Sequence, residues 1–453
     1  MIPVLTPEEM RAVDRAAPEP EEVLVARAGS AVARAALAML GGAYGRRVVV
    51  VAGKGNNGAD GRVAATLLRR RGVRVEVIDA GDQPDRLPKS DLVIDAAYGT
   101  GFRGEYSAPD PAGAPVLAVD IPSGIDGLTG EAQPGAVRAT ETVTFAAMKT
   151  GLLLGAGFEH AGRVTVADIG LDVSRSTIGM VEAADVARWL PAREHNSHKW
   201  KSALWMIAGS PGMTGAADMA AGAAMRAGAG TVRLGIPGVP PDPRFPEVIG
   251  RWLPEEGWDD DVIAGDLERM KAVVMGPGLG RSDGTAGAVR RLVAKARLPV
   301  VLDADALYAL GSLDDPARFL RNRPGPTVLT PHDGEFDRLM GCPPGPRRIS
   351  AVRHLAFTTG ATVLLKGSTT IVADPAGDVL LTTAGDARLA TAGSGDVLSG
   401  VIGALLAQGL DAPQAAAAGA FVHGTAAGLG WRRGLVAGDL LDLLPAVLDT
   451  IAP

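Results

Sequence analysis

One segment near the C-terminus combines glycines, a hydroxyl and a carboxylate in a pattern suited to phosphoryl transfer. Residues 391 to 396 read Thr-Ala-Gly-Ser-Gly-Asp and run directly into an apolar helical pattern over residues 397 to 405. Backbone N–H groups at the start of a helix bind anions, and Asp396 could accept the proton of an attacking hydroxyl. Taken alone, the segment is equally compatible with a plain helix cap, so other motifs must decide.

Two further segments offer groups for a phosphorylated ligand. Lys366 ends a predicted strand and precedes Gly-Ser-Thr-Thr, where a lysine beside small hydroxyl residues can contact nucleotide phosphates. His332 lies in Leu-Thr-Pro-His-Asp-Gly-Glu-Phe after another predicted strand, and by itself it fits loop packing as well as ligand binding. No Gly-x-x-x-x-Gly-Lys-Ser/Thr sequence occurs, which excludes a Walker-type NTPase.

The first part of the chain contains a glycine-rich segment with unusual polar residues. Residues 53 to 61 read Gly-Lys-Gly-Asn-Asn-Gly-Ala-Asp-Gly, between a valine run and a helical pattern. The first half satisfies the dinucleotide fingerprint G-x-G-x-x-G, so a nicotinamide dehydrogenase domain is one interpretation. However, Asn56, Asn57 and Asp60 place polar side chains in this loop, whereas pyrophosphate binding needs only backbone and small residues. Their oxygens are suitable ligands for a hard cation.

Polar residues also occur at the ends of two further predicted strands of this part. Asp95 precedes a glycine-rich segment that extends to residue 104, and Asp120 and Ser123 lie in Val-Asp-Ile-Pro-Ser-Gly. Ligands of open parallel sheets bind outside the carboxyl ends of the strands, so we expect these side chains to converge with Asn57. Each loop alone is more readily structural, but three at consecutive strand ends favour a site.

The elements that position these residues alternate between short β-branched runs and alanine-rich helical stretches, which predicts an α/β protein with parallel sheets. The predicted strands are 47–51, 73–79, 91–95, 116–120, 141–145 and 163–167, then 203–208, 231–236, 272–275, 299–303, 327–330 and 362–366. A polar, unpatterned segment over 191–199 separates the two series. We therefore predict two domains, 1–194 and 195–453.

Length and composition restrict the class of protein. A chain of 453 residues exceeds one ordinary core, and its net charge of -6 argues against a nucleic-acid partner. Cys342 is the only cysteine, and the six histidines lack metal-ligand spacing, so no cysteine or histidine metal site is expected. The N-terminus lacks a signal-peptide pattern and no run of eighteen apolar residues occurs, so we expect a cytoplasmic protein without a membrane partner.

The segments GNNGADG, DAAYGTGFRG and AVDIPSGIDGLTGE resemble the NAD(P)HX epimerase domain, a Rossmann-like α/β/α sandwich, over about the first 190 residues. The resemblance implies that the hydrated nucleotide contacts Asn56, Asn57, Gly58, Ala59, Asp60, Gly99, Thr100, Gly101, Phe102, Arg103, Gly104, Glu105 and Asp120. It also implies a potassium ion held by Asn57, Asp95 and Ser123, with Asp120 as the acid/base at C6. Ala59 departs from the family's usual glycine. Lys149 fits the family pattern but receives no role.

The second part resembles the ADP-dependent NAD(P)HX dehydratases of the ribokinase-like superfamily, from about residue 195 to the end. The motifs His-Lys, GPGLG, DADAL, LTPHDGEF and AGSGDVLSG occur in the family's order. The resemblance implies that Ala217, Gly278 and His332 contact the hydrated nicotinamide and that Asp396 is the base. It assigns the adenine nucleotide to Lys366, Gly367, Ser368, Thr369, Thr370, Gly393, Ser394 and Gly395. Ala392 and Tyr308 stand where glycine and asparagine are usual.

Together the two resemblances imply a bifunctional nicotinamide nucleotide repair protein. One domain would interconvert the R and S epimers of NADHX or NADPHX. The other would dehydrate the S epimer at the expense of ADP, giving AMP and phosphate. Phosphorylation of the C6 hydroxyl converts a poor leaving group into a good one, which explains a kinase-like fold. The implied cofactors are K+ for the epimerase and Mg2+ with ADP. We also expect a homo-oligomer.

Three alternatives remain at this stage. A small-molecule kinase acting on a vitamin or sugar hydroxyl would explain residues 203–400, and a stable phosphorylated product would favour it. The first domain could bind a nucleotide without turning it over, in which case Asp120→Ala would leave epimer exchange unchanged. A dehydrogenase would oxidise a nicotinamide cofactor, as the G-x-G-x-x-G match suggests.

Overall fold

The computed structural model describes residues 1–102, 104–192, 194–312 and 320–451 and divides into two compact units. One unit is Ile2–Ile178, and the other is Met1 with the residues from Gly179 onward. This division precedes the predicted boundary at 194/195, because Val186 on the helix Ala183–Trp189 packs into the core of the second unit. The predicted boundary refers to the family domains and stays a prediction.

Six parallel strands form the main sheet of the first unit, in the order β3-β2-β4-β5-β6-β8. Their bounds are β2 Arg47–Ala52, β3 Arg74–Asp79, β4 Leu92–Ala96, β5 Val116–Val119, β6 Glu141–Phe145 and β8 Arg163–Ala167. All six predicted strands of the first series are thus confirmed. Two short strands, β1 Ile2–Leu5 and β7 Met148–Lys149, pair in parallel and were not predicted.

The sheet of the first unit is covered on both faces. Val48 and Val50 of β2 belong to one hydrophobic core cluster, whereas Val49 and Val51 belong to another. Alternate side chains of a strand point to opposite faces, so an unbroken valine run is what a doubly covered parallel strand requires. The helices of this unit are Pro7–Arg15, Glu21–Leu40, Asn56–Arg70 and Gly155–His160, with a 3-10 turn at Thr150–Leu152. This is the predicted three-layer α/β arrangement.

By length and composition alone, the helix Glu21–Leu40 could cross a membrane. Its buried residues, which include Ala28, Val32 and Ala36, belong to the core of the first unit. A core helix of a folded domain can have the same length and apolar composition, so burial in the first unit accounts for the apolar residues of this helix.

The second unit contains nine strands in the order β12-β11-β10-β13-β14-β15-β16-β17-β18. Strands β12 to β16 are parallel, and β17 and β18 add an antiparallel hairpin. Their bounds are β10 Ala203–Ile207, β11 Thr231–Pro237, β12 Val248–Leu253, β13 Ala272–Met275, β14 Val300–Leu302, β15 Thr327–Leu329, β16 Thr362–Leu365, β17 Thr370–Ala373 and β18 Val379–Thr382. The second series of predicted strands is confirmed, whereas β12 and the hairpin were missed. The short strand β9, Ile178–Met180, lies at the division of the chain.

Ten described helices accompany this second set of strands. They are Ala183–Trp189, Thr214–Arg226, Trp258–Ala264, Asp283–Lys295, Asp305–Leu310, Asp333–Met340, Arg348–Thr359, Ser394–Ala407, Ala412–Leu429 and Ala437–Ile451, with 3-10 turns at Lys199–Ser202, Asp266–Arg269 and Ala387–Leu389. Every residue from 397 to 407 is buried, so the helix Ser394–Ala407 is enclosed on all sides beyond its first turn. Its first turn, which carries Asp396, therefore stands on a rigid support.

Candidate functional sites

A cavity of about 840 Å³ opens at the carboxyl ends of β2, β4 and β5 in the first unit. Eight residues predicted to contact the hydrated nucleotide line it: Asn56, Asn57, Asp60, Gly99, Thr100, Gly101, Phe102 and Asp120. The opposite wall was not predicted. The two N-terminal helices supply it through residues that include Arg11, Asp14, Glu21 and Ala28. The capping box of Thr6 and Glu9 marks the first of these helices, but no motif identifies it as part of a site.

The remaining predicted contacts of this cavity have different positions. Gly58, Ala59, Gly104 and Glu105 are not among the residues that line it. Arg103 lies outside the described residues. The assignment of these five residues to the nucleotide stays a prediction.

Asn57 and Asp60 lie on a helix, which corrects the expectation that they occupy a loop. The helix begins at Asn56, with Gly55 as its N-cap, so the loop is confined to residues 53 to 55. A side chain at Gly58 would overlap the backbone of Gly53, and this close approach requires glycine there. Because the helix starts early, Asn57 and Asp60 are spaced by nearly one turn and present their side chains from a rigid element.

Asp95 and Ser123 form a buried pair at the ends of neighbouring strands. Ser123 Oγ donates to Asp95 Oδ1 at 2.7 Å, and the Ser123 N–H donates to Oδ2 at 2.8 Å. Burial raises the pKa of Asp95 to about 6, although these hydrogen bonds oppose the rise. No cationic side chain of the described residues pairs with this carboxylate. A fully buried carboxylate without a cationic partner suits a bound metal cation.

Asp120 is held by a buried lysine. Lys149 Nζ lies 2.9 Å from Asp120 Oδ1, and the Lys149 side chain is only 1% exposed. The same ammonium donates to Thr144 Oγ1 at 2.9 Å and to the Phe145 carbonyl at 2.7 Å, and Thr144 Oγ1 donates to Asp120 Oδ1 at 3.1 Å. Asp120 has a φ of +65°, a conformation that is uncommon for residues other than glycine. Its carboxylate is thus fixed from both the backbone and the side chain.

Two more carboxyl groups face the same cavity. Burial, with a further contribution from the charge of Asp120, raises the pKa of Asp60 to about 8. Burial also raises the pKa of Asp14, with Lys149 opposing and Asp120 adding to the effect. The first unit therefore contains two carboxyl groups of raised pKa on the cavity that Asp120 also lines.

In the second unit, Asp396 occupies the third position of the helix Ser394–Ala407. Burial and the neighbouring Asp303 raise the pKa of Asp396 to about 7, although Lys366 lowers it. The Ser394 N–H already donates to the Thr391 carbonyl at 3.3 Å. The Gly395 and Asp396 N–H groups have no hydrogen-bond acceptor within the described part of the chain, so these two amides can bind an anion.

Lys366 stands beside this helix start within a buried polar cluster. Its Nζ lies 2.6 Å from Asp303 Oδ1, and Ser399 Oγ donates to Asp303 Oδ2 at 2.6 Å. Although burial opposes the charge, Asp303 and Glu335 raise the pKa of Lys366 above its ordinary value. Asp303 and Ser399 were not predicted as site residues, but Asp303 opens the DADAL motif at the end of β14, where such a group could be anticipated.

His332 lines a second cavity of about 290 Å³ in this unit. Its Nδ1 accepts hydrogen bonds from the Gly334 and Glu335 N–H groups, so the neutral ring carries its proton on Nε2. His332 is therefore a helix cap whose other nitrogen is available to a ligand. Tyr308 lines the same cavity, with the Arg338 guanidinium 3.5 Å from its ring centroid.

Other predicted dehydratase residues are close to the backbone of this region. The Gly278 carbonyl accepts from Ser210 Oγ at 2.9 Å, and the Gly280 N–H donates to Asp305 Oδ2 at 2.9 Å. Ala217 is fully buried, backbone included. Gly367, Ser368 and Thr369 lie in the connection from β16 to β17, next to Lys366, and Thr370 is the first residue of β17. Their nucleotide contacts stay predictions.

Within the described ranges, no group of three or more His, Cys, Asp or Glu residues could hold a metal ion. A magnesium ion in the second unit would therefore depend on the phosphates of a nucleotide. The expected potassium site at Asp95 contains only one residue of these four types, because its other expected ligands, Asn57 and Ser123, supply an amide and a hydroxyl.

Two family models match the chain. The model described as NAD(P)H-hydrate dehydratase matches residues 204–446, and the one described as YjeF-related protein N-terminus matches residues 21–89 and 78–151. The second unit and most of the first unit are thus covered by separate family modules.

Relatives resemble the chain over nearly its whole length. The bifunctional NAD(P)H-hydrate repair enzyme Nnr of Mycobacterium leprae is 42% identical over 443 residues, which cover 90% of each chain. The enzyme of the same description from Moorella thermoacetica is 36% identical and covers 99% of this chain and 97% of its own.

Solved structures resemble the second unit. The ADP/ATP-dependent NAD(P)H-hydrate dehydratase of Bacillus subtilis, co-crystallised with ATP and Mg2+, is 29% identical with a TM-score of 0.51, over 60% of this chain and 97% of its own. A ribokinase-like protein of Enterococcus faecalis, at 21% identity and a TM-score of 0.54, covers 61% of this chain and 97% of its own and supports the fold alone. The chain therefore belongs to the family of bifunctional NAD(P)H-hydrate repair enzymes, in which a YjeF-type N-terminal module precedes a ribokinase-like dehydratase module.

Proposed function

We propose that this chain repairs hydrated nicotinamide cofactors by both reactions of its family. The first unit epimerises R and S NADHX or NADPHX, and the second dehydrates the S epimer with consumption of ADP. The observation that carries the proposal is the position of Asp396, a half-buried carboxyl at a helix start whose free amides and neighbouring Lys366 favour phosphate. A nicotinamide dehydrogenase is disfavoured, because carboxyl groups line the cavity that follows the G-x-G-x-x-G segment.

In the dehydratase site, Asp396 takes the proton of the C6 hydroxyl as that oxygen attacks the terminal phosphoryl group of ADP. The Gly395 and Asp396 amides and Lys366 stabilise the charge that develops on the phosphoryl oxygens. Asp303, held by Ser399, fixes the Lys366 ammonium. Phosphate then leaves C6 as the ring nitrogen supplies electrons, and C5 loses a proton to water so that the C5=C6 double bond forms. The products are NADH or NADPH, AMP and phosphate. Mg2+ would be held by the phosphates of the nucleotide, whose negative charge it would offset.

Ala217, Gly278 and His332 are proposed to contact the hydrated nicotinamide in this site. The His332 Nε2 lies 3.6 Å from Glu335 Oε2, beyond hydrogen-bond distance, and can donate a hydrogen bond to a carbonyl oxygen such as that of the carboxamide. Glu335 accepts from the His332 N–H at 2.9 Å and interacts with Lys366 and Asp303. This glutamate therefore links the His332 cavity to the Asp303 cluster.

In the epimerase site, Asp120 acts as the acid/base at C6, and its ion pair with Lys149 holds it in one orientation. Asn57, Asp95 and Ser123 would hold K+, which supplies a fixed positive charge near the bound nucleotide. The buried Asp95–Ser123 pair supports this assignment, because its carboxylate has no cationic partner in the described chain. We also propose a cytoplasmic, homo-oligomeric enzyme with only small molecules as substrates.

Recovery of reduced nicotinamide absorbance tests the proposal. The chain is added to a mixture of both hydrate epimers with ADP, with ATP or with neither nucleotide. We expect recovery of the whole mixture with ADP, because the epimerase converts the R form as the S form is consumed. Recovery of the S fraction alone would remove the epimerase assignment. A stable phosphorylated product would instead favour a small-molecule kinase.

A further inference from the structure

The Asp60 carboxyl is buried and open to the cavity of the first unit, yet it lacks a partner. The residue is 6% exposed and lines the cavity with Asp120. No hydrogen bond or ion pair to its carboxyl exists within the described residues. By contrast, Asp120 has both an ammonium and a hydroxyl within 3.1 Å of one oxygen.

The carboxyl groups of Asp60 and Asp120 therefore have different surroundings. Asp120 Oδ1 lies 2.9 Å from the Lys149 ammonium. Asp60 lacks such a partner within the described residues, and burial with the charge of Asp120 raises its pKa to about 8. A neutral carboxylic acid and a carboxylate on one cavity form a donor and acceptor pair for proton transfer.

Deepening the proposed epimerase function, on which this inference rests, we propose that Asp60 is the proton donor that works with the Asp120 base to open and close the hydrated ring. The substrate carries its hydroxyl and its ring nitrogen on the same carbon, C6. Such a centre can be inverted by breaking the bond between C6 and N1, without breaking the bond between C6 and its hydrogen.

The proposed step balances without any further reagent. Asp120 removes the proton of the C6 hydroxyl, the O–H electron pair becomes the second C6–O bond, and the C6–N1 bond breaks. N1 receives the proton of Asp60, so an aldehyde and an N–H group result. After rotation about the C5–C6 bond, N1 attacks the other face of the aldehyde. Asp60 then recovers its proton from N1, and Asp120 returns its proton to the oxygen.

Other charged groups face the same cavity and define the electrostatic background for these two residues. From the N-terminal helices these include Arg11, Asp14 and Glu21, and from the sheet side they include Lys54 and Lys149. The Lys149 ammonium is already engaged by Asp120, Thr144 and two carbonyls. Asp60 therefore has no fixed cation that would keep it ionised among the described groups.

The test compares recovery of NAD(P)H from the pure R epimer and from the pure S epimer, using the full chain with ADP. In Asp60→Asn, we expect kcat for the R epimer to fall about 10²- to 10³-fold, with KM changed less than about threefold. The rate with the S epimer should not change. The matched control is Asp82→Asn, an exposed aspartate outside the cavity, which should leave both rates unchanged.

Two further measurements distinguish loss of the proton donor from a folding defect of the variant. Asp60→Glu keeps a carboxylic acid, and we expect its kcat for the R epimer to exceed that of Asp60→Asn at least tenfold. With wild-type enzyme and substrate deuterated at C6, deuterium should remain at C6 in the product. An unchanged kcat in Asp60→Asn, a loss confined to KM, a glutamate variant no better than the asparagine variant, or deuterium washout would overturn the inference. Failure of the wild-type chain to use the R epimer would instead refute the epimerase function itself.

Discussion

Lys149 Nζ lies 2.9 Å from Asp120 Oδ1 in the wall of the first unit's cavity, and the lysine has almost no solvent exposure. The β1–β7 pair holds this lysine, with Leu5 opposite Lys149 in the register. Thr144 bridges the two charged groups through its hydroxyl. Lys149, which received no role from the sequence, is thus the direct ion-pair partner of Asp120, the proposed epimerase base.

Replacement of Lys149 by methionine should therefore slow epimerisation. Methionine preserves length but removes the positive charge, so Asp120 would lose its ion pair and its fixed orientation. We expect kcat/KM for the R epimer to fall by about 10²-fold, a magnitude typical of acid–base groups. The rate of ADP-driven recovery from the S epimer is the internal control. Wild-type turnover of the R epimer in this variant would show that the ion pair is dispensable.

The sequence predicted the two parallel sheets because buried strands such as β2 carry unbroken β-branched runs between glycine-rich turns. It also predicted that Asp95, Asp120 and Ser123 follow consecutive strands, and the structure brings Asp95 and Ser123 into direct contact. These successes depend on short-range patterns and on one general property of parallel sheets.

The unpredicted features depend on long-range packing. Strand β1 contains Pro3 and only four residues, so its pairing with β7 has no local signal. The cavity wall formed by Asp14 and Glu21 is invisible in the sequence, because its helices carry no motif and acquire their role only by folding over the strand ends. Likewise, the expected loop extended to Asp60, whereas the helix begins at Asn56. Glycines and asparagines are typical of turns, so their presence at a helix start is misleading.

Asp396 should control the pH dependence of the dehydratase. Burial and Asp303 raise its pKa to about 7, and the proposed base must be deprotonated. The kcat/KM for the S epimer should therefore be maximal above pH 7 and fall about tenfold for each pH unit well below it. Asp396→Asn should lower kcat by about 10²- to 10⁴-fold while epimer exchange continues. Substantial ADP-driven recovery in this variant would remove Asp396 from its assigned role.

The segment 391–396, which is proposed to bind the nucleotide phosphates, offers a matched pair of substitutions at Gly393 and Ala392. Gly393 has a φ of +90°, and a Cβ there would lie 2.6 Å from Met219 Sδ. Gly393→Ala should lower the free energy of unfolding by about 1–2 kcal/mol from backbone strain alone, and it should raise KM for ADP. Ala392 is exposed and is not among the described residues with positive φ, so the departure from the family's glycine costs no such strain. Ala392→Gly should therefore change KM for ADP less than about twofold. Equal effects of the two substitutions in ADP kinetics and thermal unfolding would contradict this reasoning.

Potassium should affect the epimerase and not the dehydratase. Exchange of K+ for tetramethylammonium should slow turnover of the R epimer, while recovery from the S epimer continues at its original rate. Because burial raises the pKa of Asp95 to about 6 without a cation, protonation should weaken K+ binding as the pH falls through 6.

Ser123→Ala removes the 2.7 Å hydrogen bond to Asp95 and one proposed ligand, so it should raise the K+ concentration needed for half-maximal epimerisation. Asp95→Asn, which removes the charge, should abolish the response to K+ and the K+-dependent increase in thermal stability. An epimerase that works equally well in tetramethylammonium would exclude the cation from this site and leave the buried Asp95 carboxylate as a purely structural partner of Ser123.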